Sequence, residues 1–319
     1  MTRVQAWWMW FHKNLRDIRG FIGGNTDFGF VPEALQGWMY PIDLDFTLQH
    51  EAWYYAPKDA EGLPIRLYLT VGPRYNPTRV AAYGLAHFNR YVRTQEPVHR
   101  ARFFQVANWF LRAPDGHWRY DFPWLDLPAG WVSAMAQGEG ISVLVRAWVL
   151  SGDERYLAQA RRACAPLVQP LEAGGVRSTL VGGEPFLEEY PTAQPDHVLN
   201  GFLYALIGLV DLQRVDPEVA ATVGLEDLLN TLERRLGWWD AGFWSLYDLS
   251  YRRTGMPNLA TVSYHNLHVT QLTFLGYAMQ RPRLLDMARR WAEDTRRPLR
   301  RWRALWGKIR YRWANQGQR

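Results

Sequence analysis

Apolar residues recur with helical spacing through most of this chain, beginning near Pro77. Three early helices are predicted, the third from Val132 to Leu150, and their apolar positions lie three or four residues apart. Later helices are expected near 224–236, 260–279 and 283–297. The first two of the early helices are marked by these apolar positions: Ala81, Gly84, Leu85, Phe88 and Val92 in one, and Phe103, Ala107, Phe110 and Leu111 in the next.

The first 74 residues follow a different pattern. Glycine and proline interrupt residues 21–74 at short intervals, and Ile65–Leu69 alternates apolar and polar side chains as a half-buried strand does. We therefore predict an N-terminal segment, residues 1–74, of loops and short β-strands.

Residues 198–212 are apolar nearly all round, whereas the neighbouring helices are amphipathic. This contrast predicts an inner helix covered by outer ones. A helix is expected after Ser151, because Ser-Gly-Asp-Glu there resembles a capping box. About eight helices in hairpin-like pairs favour a mainly α fold, an α/α barrel or toroid over residues 75–319. A solenoid and an irregular bundle remain alternatives.

The last residues combine a basic and an aromatic pattern. Pro298 is suitably placed to begin a helix over residues 298–315. Docking on the body, contact with an anionic membrane surface and binding of an acidic polymer are three open interpretations of this helix. One predicted face of the helix carries Trp302, Leu305, Trp306, Ile309 and Trp313.

The net positive charge of the chain comes from this tail. Residues 296–319 hold nine Lys and Arg and no acid, while the whole chain carries +6, so the remainder is mildly acidic. The basic balance therefore gives no argument for a polyanion groove in the body, and we expect no nucleic-acid partner. A single cysteine, Cys164, excludes an intramolecular disulfide, and no zincin, P-loop or dinucleotide-binding motif occurs.

The aromatic N-terminal residues are too few and too interrupted for a transmembrane span or a secretion signal. We expect this aromatic segment to pack against the body. The expected location is the cytoplasm or the periphery of a membrane.

Three short segments carry groups suited to chemistry. They are Glu188–Thr192, Tyr247–Leu249 and Ser263–His268, in turn-like contexts between apolar stretches. Together they supply a carboxylate, three tyrosines and two histidines. Such groups are typical of enzymes that remove a proton from an acidic carbon and return it. His265 and His268 have a spacing compatible with zinc, but no third ligand is evident nearby, so we predict neither a metal nor a cofactor.

Several blocks in order, over roughly residues 75–295, resemble the catalytic C-terminal domain of the D-glucuronyl C5-epimerases, which act on heparosan-type chains. The matching blocks begin at Tyr75, Ala82, Gly130, Ile141, Leu144, Glu188, Val198, Leu206, Tyr247, Pro257 and Tyr264. The resemblance implies an epimerase that interconverts D-glucuronate and L-iduronate residues in an acidic polysaccharide.

The resemblance also implies roles for individual residues. Glu189 is the candidate acid/base with Tyr190 beside it, Tyr264 is its partner, and Tyr247 assists as acid/base or oxyanion donor. Related sequences tend to have arginine directly after the Tyr-Asp-Leu block, where this chain has Ser250. Further substrate contacts are expected from residues in or near the matched blocks: Tyr75, Gln137, Arg146, Asn200, Arg252, His265 and His268.

Two other functions stay open at this point. A polysaccharide lyase begins with the same proton removal and then expels the C4 substituent, and a silent glycan-binding protein keeps the fold without chemistry. A homodimer and contact of the tail with a membrane surface are also left open as partner interactions.

Overall fold

The computed structural model describes residues 18, 20–23 and 27–315, and most of them are helical. Nine helices of nine or more residues define the body. They are α1 (Pro77–Thr94), α2 (Pro97–Phe110), α3 (Ala134–Ser151), α4 (Glu154–Arg162), α5 (Leu199–Gln213), α6 (Leu225–Arg235), α7 (Val262–Ala278), α8 (Pro282–Arg296) and α9 (Pro298–Ala314).

Short elements connect these helices. Two antiparallel hairpins pair β1 (Arg66–Tyr68) with β2 (Gly72–Arg74) and β3 (Arg177–Thr179) with β4 (Pro185–Leu187). Tyr68 stands opposite Gly72, and Ser178 stands opposite Phe186. The remaining short helices are Pro32–Leu35, Asp45–Gln49, Glu51–Tyr54, Ala165–Val168, Leu171–Ala173, Pro217–Val223, Leu236–Trp239 and Tyr251–Thr254.

The long helices form an inner and an outer layer. Helices α1, α3, α5 and α7 are the inner layer, and each packs against the next in that order. Helices α2, α4, α6 and α8 cover them from outside, with α2 on α1, α4 on α3, α6 on α5 and α8 on α7. All residues of α5 except the last are buried, as its uniformly apolar sequence predicted.

Helices α3 and α5 are in close backbone contact. A Cβ atom on Gly138 would lie 2.5 Å from the Cα of Ala205, and one on Gly208 would collide with the backbone of Gly138. Glycine at both positions therefore lets the two helix backbones touch. This crossing sets the position of the N-terminal end of α5, from which the candidate site is built.

The N-terminal segment shares the same core. Asn89 on α1 accepts a hydrogen bond from the Tyr40 backbone N–H at 2.6 Å and donates one to the Tyr40 carbonyl at 3.0 Å. Tyr40, Ile42 and Leu44 are packed with the inner helices in one hydrophobic cluster. At the far end of the layer, Thr270 on α7 donates to the Phe28 carbonyl at 2.6 Å. The segment thus contacts both the first and the last inner helix.

Side-chain caps begin three of the nine long helices. Asn76 caps α1, and Thr261 caps α7 by accepting from the backbone N–H of Tyr264. The expected cap after Ser151 is present in a modified form, because Asp153 is the N-cap of α4 and Ser151 accepts from the Asp153 backbone.

Helix α9 packs against α8, but not by the face that the sequence pattern predicted. Leu305 is buried, whereas Trp302, Trp306 and Trp313 are exposed. The docked side is formed by Ala304, Leu305, Lys308 and Tyr311. Contact with a membrane surface or with an acidic polymer stays a prediction for the exposed tryptophans.

The mainly helical class predicted from the sequence is confirmed, while closure into an α/α toroid and the division at residue 74 stay predictions. The aromatic segment at Trp7–Phe11 lies outside the described residues. Within residues 27–315, the helices that the structure describes are all too short or too polar to cross a membrane.

Candidate functional site

Glu189 lies between strand β4 and the first turn of α5. Its side chain is only 6% exposed, and the Asn200 amide donates to its Oε2 at 3.3 Å. A Cβ atom on Gly201 would lie 2.5 Å from the Glu189 Cβ and 2.7 Å from Oε2. Gly201 therefore provides the space that the carboxylate occupies, and Asn200 orients it.

Tyr190 is half-buried and contacts this carboxylate. Burial raises the pKa of the Tyr190 phenol well above its ordinary value, and the charge of Glu189 and its hydrogen bond add to the effect. Tyr264 also contributes, which brings it into the same electrostatic environment. At neutral pH the Tyr190 phenol is therefore protonated and donates to Glu189.

The rings of Tyr247 and Tyr264 pack edge to face. Their ring centroids are 5.0 Å apart with an interplanar angle of 68°. The carbonyl of Tyr247 accepts from the Leu199 backbone N–H at 3.0 Å, so its loop is fixed to the start of α5. Tyr264 lies in the first turn of α7 and is 39% exposed, whereas Tyr247 is 8% exposed.

A shallow, open groove with a cavity volume of about 50 Å³ is lined by Tyr190, whereas Glu189, Tyr247 and Tyr264 do not line it. This volume is below the range of small-ligand sites, ~300–1,000 Å³. Behind Tyr190, Trp131 lies 5.9 Å away and stacks on Tyr120 at 3.9 Å between ring centroids. The other lining residues are Trp124, Leu125, Glu188, Thr192, Asp196 and Val198.

Glu188, next to the candidate carboxylate, is occupied within the fold. Its Oε1 accepts from the Ser178 hydroxyl and lies 2.6 Å from His197 Nδ1. These contacts hold the segment in place, and only its neighbour Glu189 faces Tyr190. The two adjacent glutamates thus have different roles.

The two histidines support the loop that carries Tyr247. His265 and His268 are fully buried, and the hydroxyl of Ser245 lies 2.8 Å and 2.9 Å from their Nδ1 atoms. Burial lowers the pKa of His265 to about 3, so its ring is neutral. The ring stacks on Trp244 at 3.8 Å between centroids. The histidines thus fix the loop at Ser245, two residues before Tyr247, and both are buried away from solvent.

Gln137 and Arg146 were expected to contact substrate, and the structure gives them structural roles instead. The Gln137 amide donates to the carbonyls of Gly116 and Ala163 at 2.8 and 2.9 Å. Arg146 is fully buried and pairs with Asp211, with 2.5 Å between Nη1 and Oδ2. Because these donors are bonded inside the fold, they are not available to a ligand.

Arg252 and Tyr75 also have partners of their own. The Arg252 guanidinium lies 3.7 Å from the centroid of the Trp238 ring. Tyr75 donates to Asp59, and burial together with that carboxylate raises the pKa of Tyr75 to about 12. Among the substrate contacts predicted from the sequence, Asn200 is hydrogen-bonded to Glu189.

Sequence reasoning missed Glu139, a fully buried carboxyl group on the inner helix α3. Burial, and then the negative charge of Glu189, raise the pKa of Glu139 well above its ordinary value. Its Oε2 has no hydrogen-bond partner among the described residues. The available signal was an acid within an otherwise apolar helix, since such groups are rarely buried without cause.

It also missed Lys308 on α9. The ammonium group of Lys308 donates to Asn258 Oδ1 at 2.7 Å and lies 5.8 Å from the centroid of the Tyr247 ring. The tyrosine pair therefore has a buried cation beside it. Within residues 27–315, no three His, Cys, Asp or Glu side chains of the described structure converge as a metal ion would require.

Comparisons with known proteins find a family that matches much of the body. A family model described as the D-glucuronyl C5-epimerase C-terminus matches residues 113–293, more than half of the chain. The matched region includes Glu189, Tyr190, Tyr247 and Tyr264 and ends before α9.

Two known proteins are similar to this chain in sequence. D-glucuronyl C5-epimerase of Caenorhabditis elegans is 35% identical over 214 residues, which cover 60% of this chain and 35% of that protein. An uncharacterized protein of Methanocaldococcus jannaschii is 30% identical over 163 residues, 50% of this chain and 51% of that protein. The chain thus matches between about a third and a half of the length of these relatives. Because the family model covers more than half of the chain, this chain belongs to the D-glucuronyl C5-epimerase C-terminus family.

Proposed function

We propose that this protein is a uronate C5-epimerase, which converts D-glucuronate to L-iduronate residues within a heparosan-type polysaccharide. The observation that carries the proposal is that Tyr264, which packs on Tyr247, lies within electrostatic range of the Glu189–Tyr190 pair. Family membership supports the reaction class, and the name of the Caenorhabditis elegans relative supports the sugar.

The reaction requires two proton carriers on opposite faces of one sugar ring. The C5–H bond breaks, a base takes the proton, and the electron pair is delocalised into the adjacent carboxylate as an enediolate. An acid on the other face then delivers a proton to C5, which inverts the carbon. Because the proton leaves and returns at the same carbon, the balance needs neither an oxidant nor a leaving group.

We assign one side of the ring to Glu189 and Tyr190. Tyr190 lines the groove and is held protonated by its carboxylate neighbour, so it suits delivery of a proton to C5. Glu189 is buried behind it and acts through the phenol, as the relay that removes or restores the phenolic proton. This refines the sequence interpretation, in which Glu189 itself reached the sugar.

We assign the other side to Tyr264 with Tyr247. Tyr264 is the more exposed phenol of the two and is therefore suited to reach C5. Tyr247 is nearly buried and packed edge to face against it, which suits an assisting role next to the developing negative charge. Trp131 and Tyr120 are buried and stacked on each other, so they pack behind Tyr190 and support its ring.

Exchange in heavy water tests this function directly. The protein is incubated with heparosan or its N-sulfated form in deuterium oxide, the product is depolymerised, and deuterium at C5 is measured by mass spectrometry. Carboxyl-reduced heparosan, which lacks the acidifying carboxylate, is the matched substrate control. We expect C5 deuterium and a new L-iduronate signal with the first two polymers and neither with the third.

Two outcomes would contradict the proposal. An unsaturated uronate absorbing in the ultraviolet would identify elimination at C4, and the protein would then be a lyase. Binding without exchange on each uronate polymer tested would identify a glycan-binding protein.

A further inference from the structure

Helix α9 brings a buried ammonium group to the tyrosine pair. Lys308 is 9% exposed, and its Nζ lies 5.8 Å from the ring centroid of Tyr247 and 5.6 Å from that of Tyr311. The helix is held close by Gly307, where a Cβ atom would collide with the Leu259 side chain. Lys308 therefore reaches the cluster because α9 docks tightly on the preceding loop.

Asn258 connects Lys308 to the backbone and side chains around Tyr247. Its Oδ1 accepts from Lys308 at 2.7 Å, and its Nδ2 donates to Asp248 Oδ2 at 2.6 Å. Its carbonyl accepts from the Tyr247 backbone N–H at 2.8 Å. One asparagine thus couples the charge on α9 to the Tyr247–Asp248 segment.

Burial of an ammonium group costs free energy unless its surroundings compensate. The arginines of the neighbouring turn have other partners, because Arg253 pairs with Asp196 at 2.8 Å and Arg252 stacks on Trp238. Because its Nζ lies 5.8 Å from the centroid of the Tyr247 ring, Lys308 is placed to oppose the negative charge that proton transfer creates next to Tyr247.

We propose that Lys308 is a positioning residue of the reaction centre, whose charge stabilises negative charge at Tyr247 and whose bond to Asn258 fixes that loop. The inference rests on the proposed epimerase function and deepens it. It makes α9 a part of the active enzyme, although α9 lies outside the region matched by the family model.

The charged and titratable groups that face this position come from several elements. Asp248 lies beside it through Asn258, Tyr264 faces Tyr247 from α7, and Tyr311 lies one turn further along α9. Arg253 interacts electrostatically with both Asp248 and Tyr311. These groups are unchanged in variants of Lys308, so a change in the pH dependence of such a variant reports the loss of the Lys308 charge.

The test separates the charge of Lys308 from its hydrogen bond. Lys308→Gln keeps a donor for Asn258 Oδ1 and removes the charge, whereas Lys308→Arg keeps the charge. Arg310→Gln removes an exposed charge from the same helix and is the matched control. The rate of C5 deuterium exchange is measured from pH 6 to 9 for the full chain, with circular dichroism and the unfolding temperature for each variant.

We expect Lys308→Gln to slow exchange at least about tenfold near pH 7, since a cation at this distance is only partly screened. The rising part of its pH profile should move to higher pH, because negative charge at Tyr247 loses its counter-charge. Lys308→Arg should retain most of the rate and the original profile, and Arg310→Gln should match the wild type.

Three results would overturn the inference. The first is a wild-type rate and profile for Lys308→Gln. The second is an equal loss for the Gln and Arg variants with a lowered unfolding temperature, which would make Lys308 a structural clamp. The third is absence of exchange in the wild type, which would remove the proposed function together with this inference. If Lys308→Gln does not fold, Lys308→Met and Lys308→Arg provide the same comparison.

Discussion

Tyr264 meets Tyr247 edge to face, with 5.0 Å between the ring centroids and 68° between the ring planes. This geometry is favourable for aromatic pairs. It joins a loop, which carries Tyr247, to the first turn of α7, which carries Tyr264. Since Tyr247 is packed and Tyr264 is accessible, the pair offers one phenol to a ligand and supports it with the other.

Removal of the Tyr264 hydroxyl should abolish most of the exchange activity. Tyr264→Phe keeps the ring contact with Tyr247 and loses the proton carrier, so we expect the C5 exchange rate to fall at least about 100-fold. Tyr277→Phe is the matched control, because Tyr277 lies on the same helix and is 55% exposed. Equal rates for the two variants would remove Tyr264 from the mechanism.

A methyl group at Gly201 should displace Glu189. Gly201→Ala places a Cβ 2.5 Å from the Glu189 Cβ, and overpacking of this kind costs about 1–3 kcal/mol. We expect a lower free energy of unfolding in urea and a loss of exchange in the fraction that remains folded. Gly237→Ala is the control, since nothing lies within 4 Å of its Cβ position. Full activity in Gly201→Ala would show that the position of Glu189 does not matter.

Glu139 should make stability depend on pH. Its pKa is raised in the folded protein, so its contribution to stability is present below the unfolded value of 4.5 and is lost as the pH rises. The stability of the wild type relative to Glu139→Gln should therefore fall between pH 5 and 8. Urea unfolding of both proteins across this range measures it, with exposed Glu218→Gln as control. A constant difference would mean that Glu139 is ionised in the folded state.

Loss of Arg146 should affect stability and leave substrate affinity unchanged. Arg146→Met leaves Asp211 buried without its partner, which costs about 3–5 kcal/mol of the free energy of unfolding. The KM for heparosan in the folded fraction should equal that of the wild type. Arg155→Ala breaks an exposed pair with Asp153 and should leave the unfolding midpoint unchanged. A raised KM with normal stability would restore Arg146 as a substrate contact.

The helices of the body could be predicted because local periodicity reflects burial on one face. The helix expected at 260–279 is found as Val262–Ala278, and the one expected at 283–297 is found as Pro282–Arg296. The uniformly apolar stretch is the buried α5. In each case the apolar residues recur within one or two helical turns, so their spacing alone predicts the helix.

The face by which α9 docks could not be predicted from that periodicity. The tryptophans form the more apolar stripe, yet Ala304, Leu305, Lys308 and Tyr311 are buried. Close approach requires small or shape-matched residues, and Gly307 against Leu259 provides it. Which stripe is covered depends on the partner surface, and that surface is assembled from residues distant in sequence.

The helical class and the order of the helices follow from side-chain type and local spacing in the sequence, and the resemblance to the family predicted four acid–base residues. Which polar groups come together depends on the packing of segments that are distant in sequence. The tertiary structure placed Glu139 near Glu189 and Lys308 near Tyr247, and it used Gln137, Arg146 and the two histidines inside the fold. A polar side chain that is hydrogen-bonded within the buried core is not available to a ligand, and its buried partners come from segments that are distant in sequence.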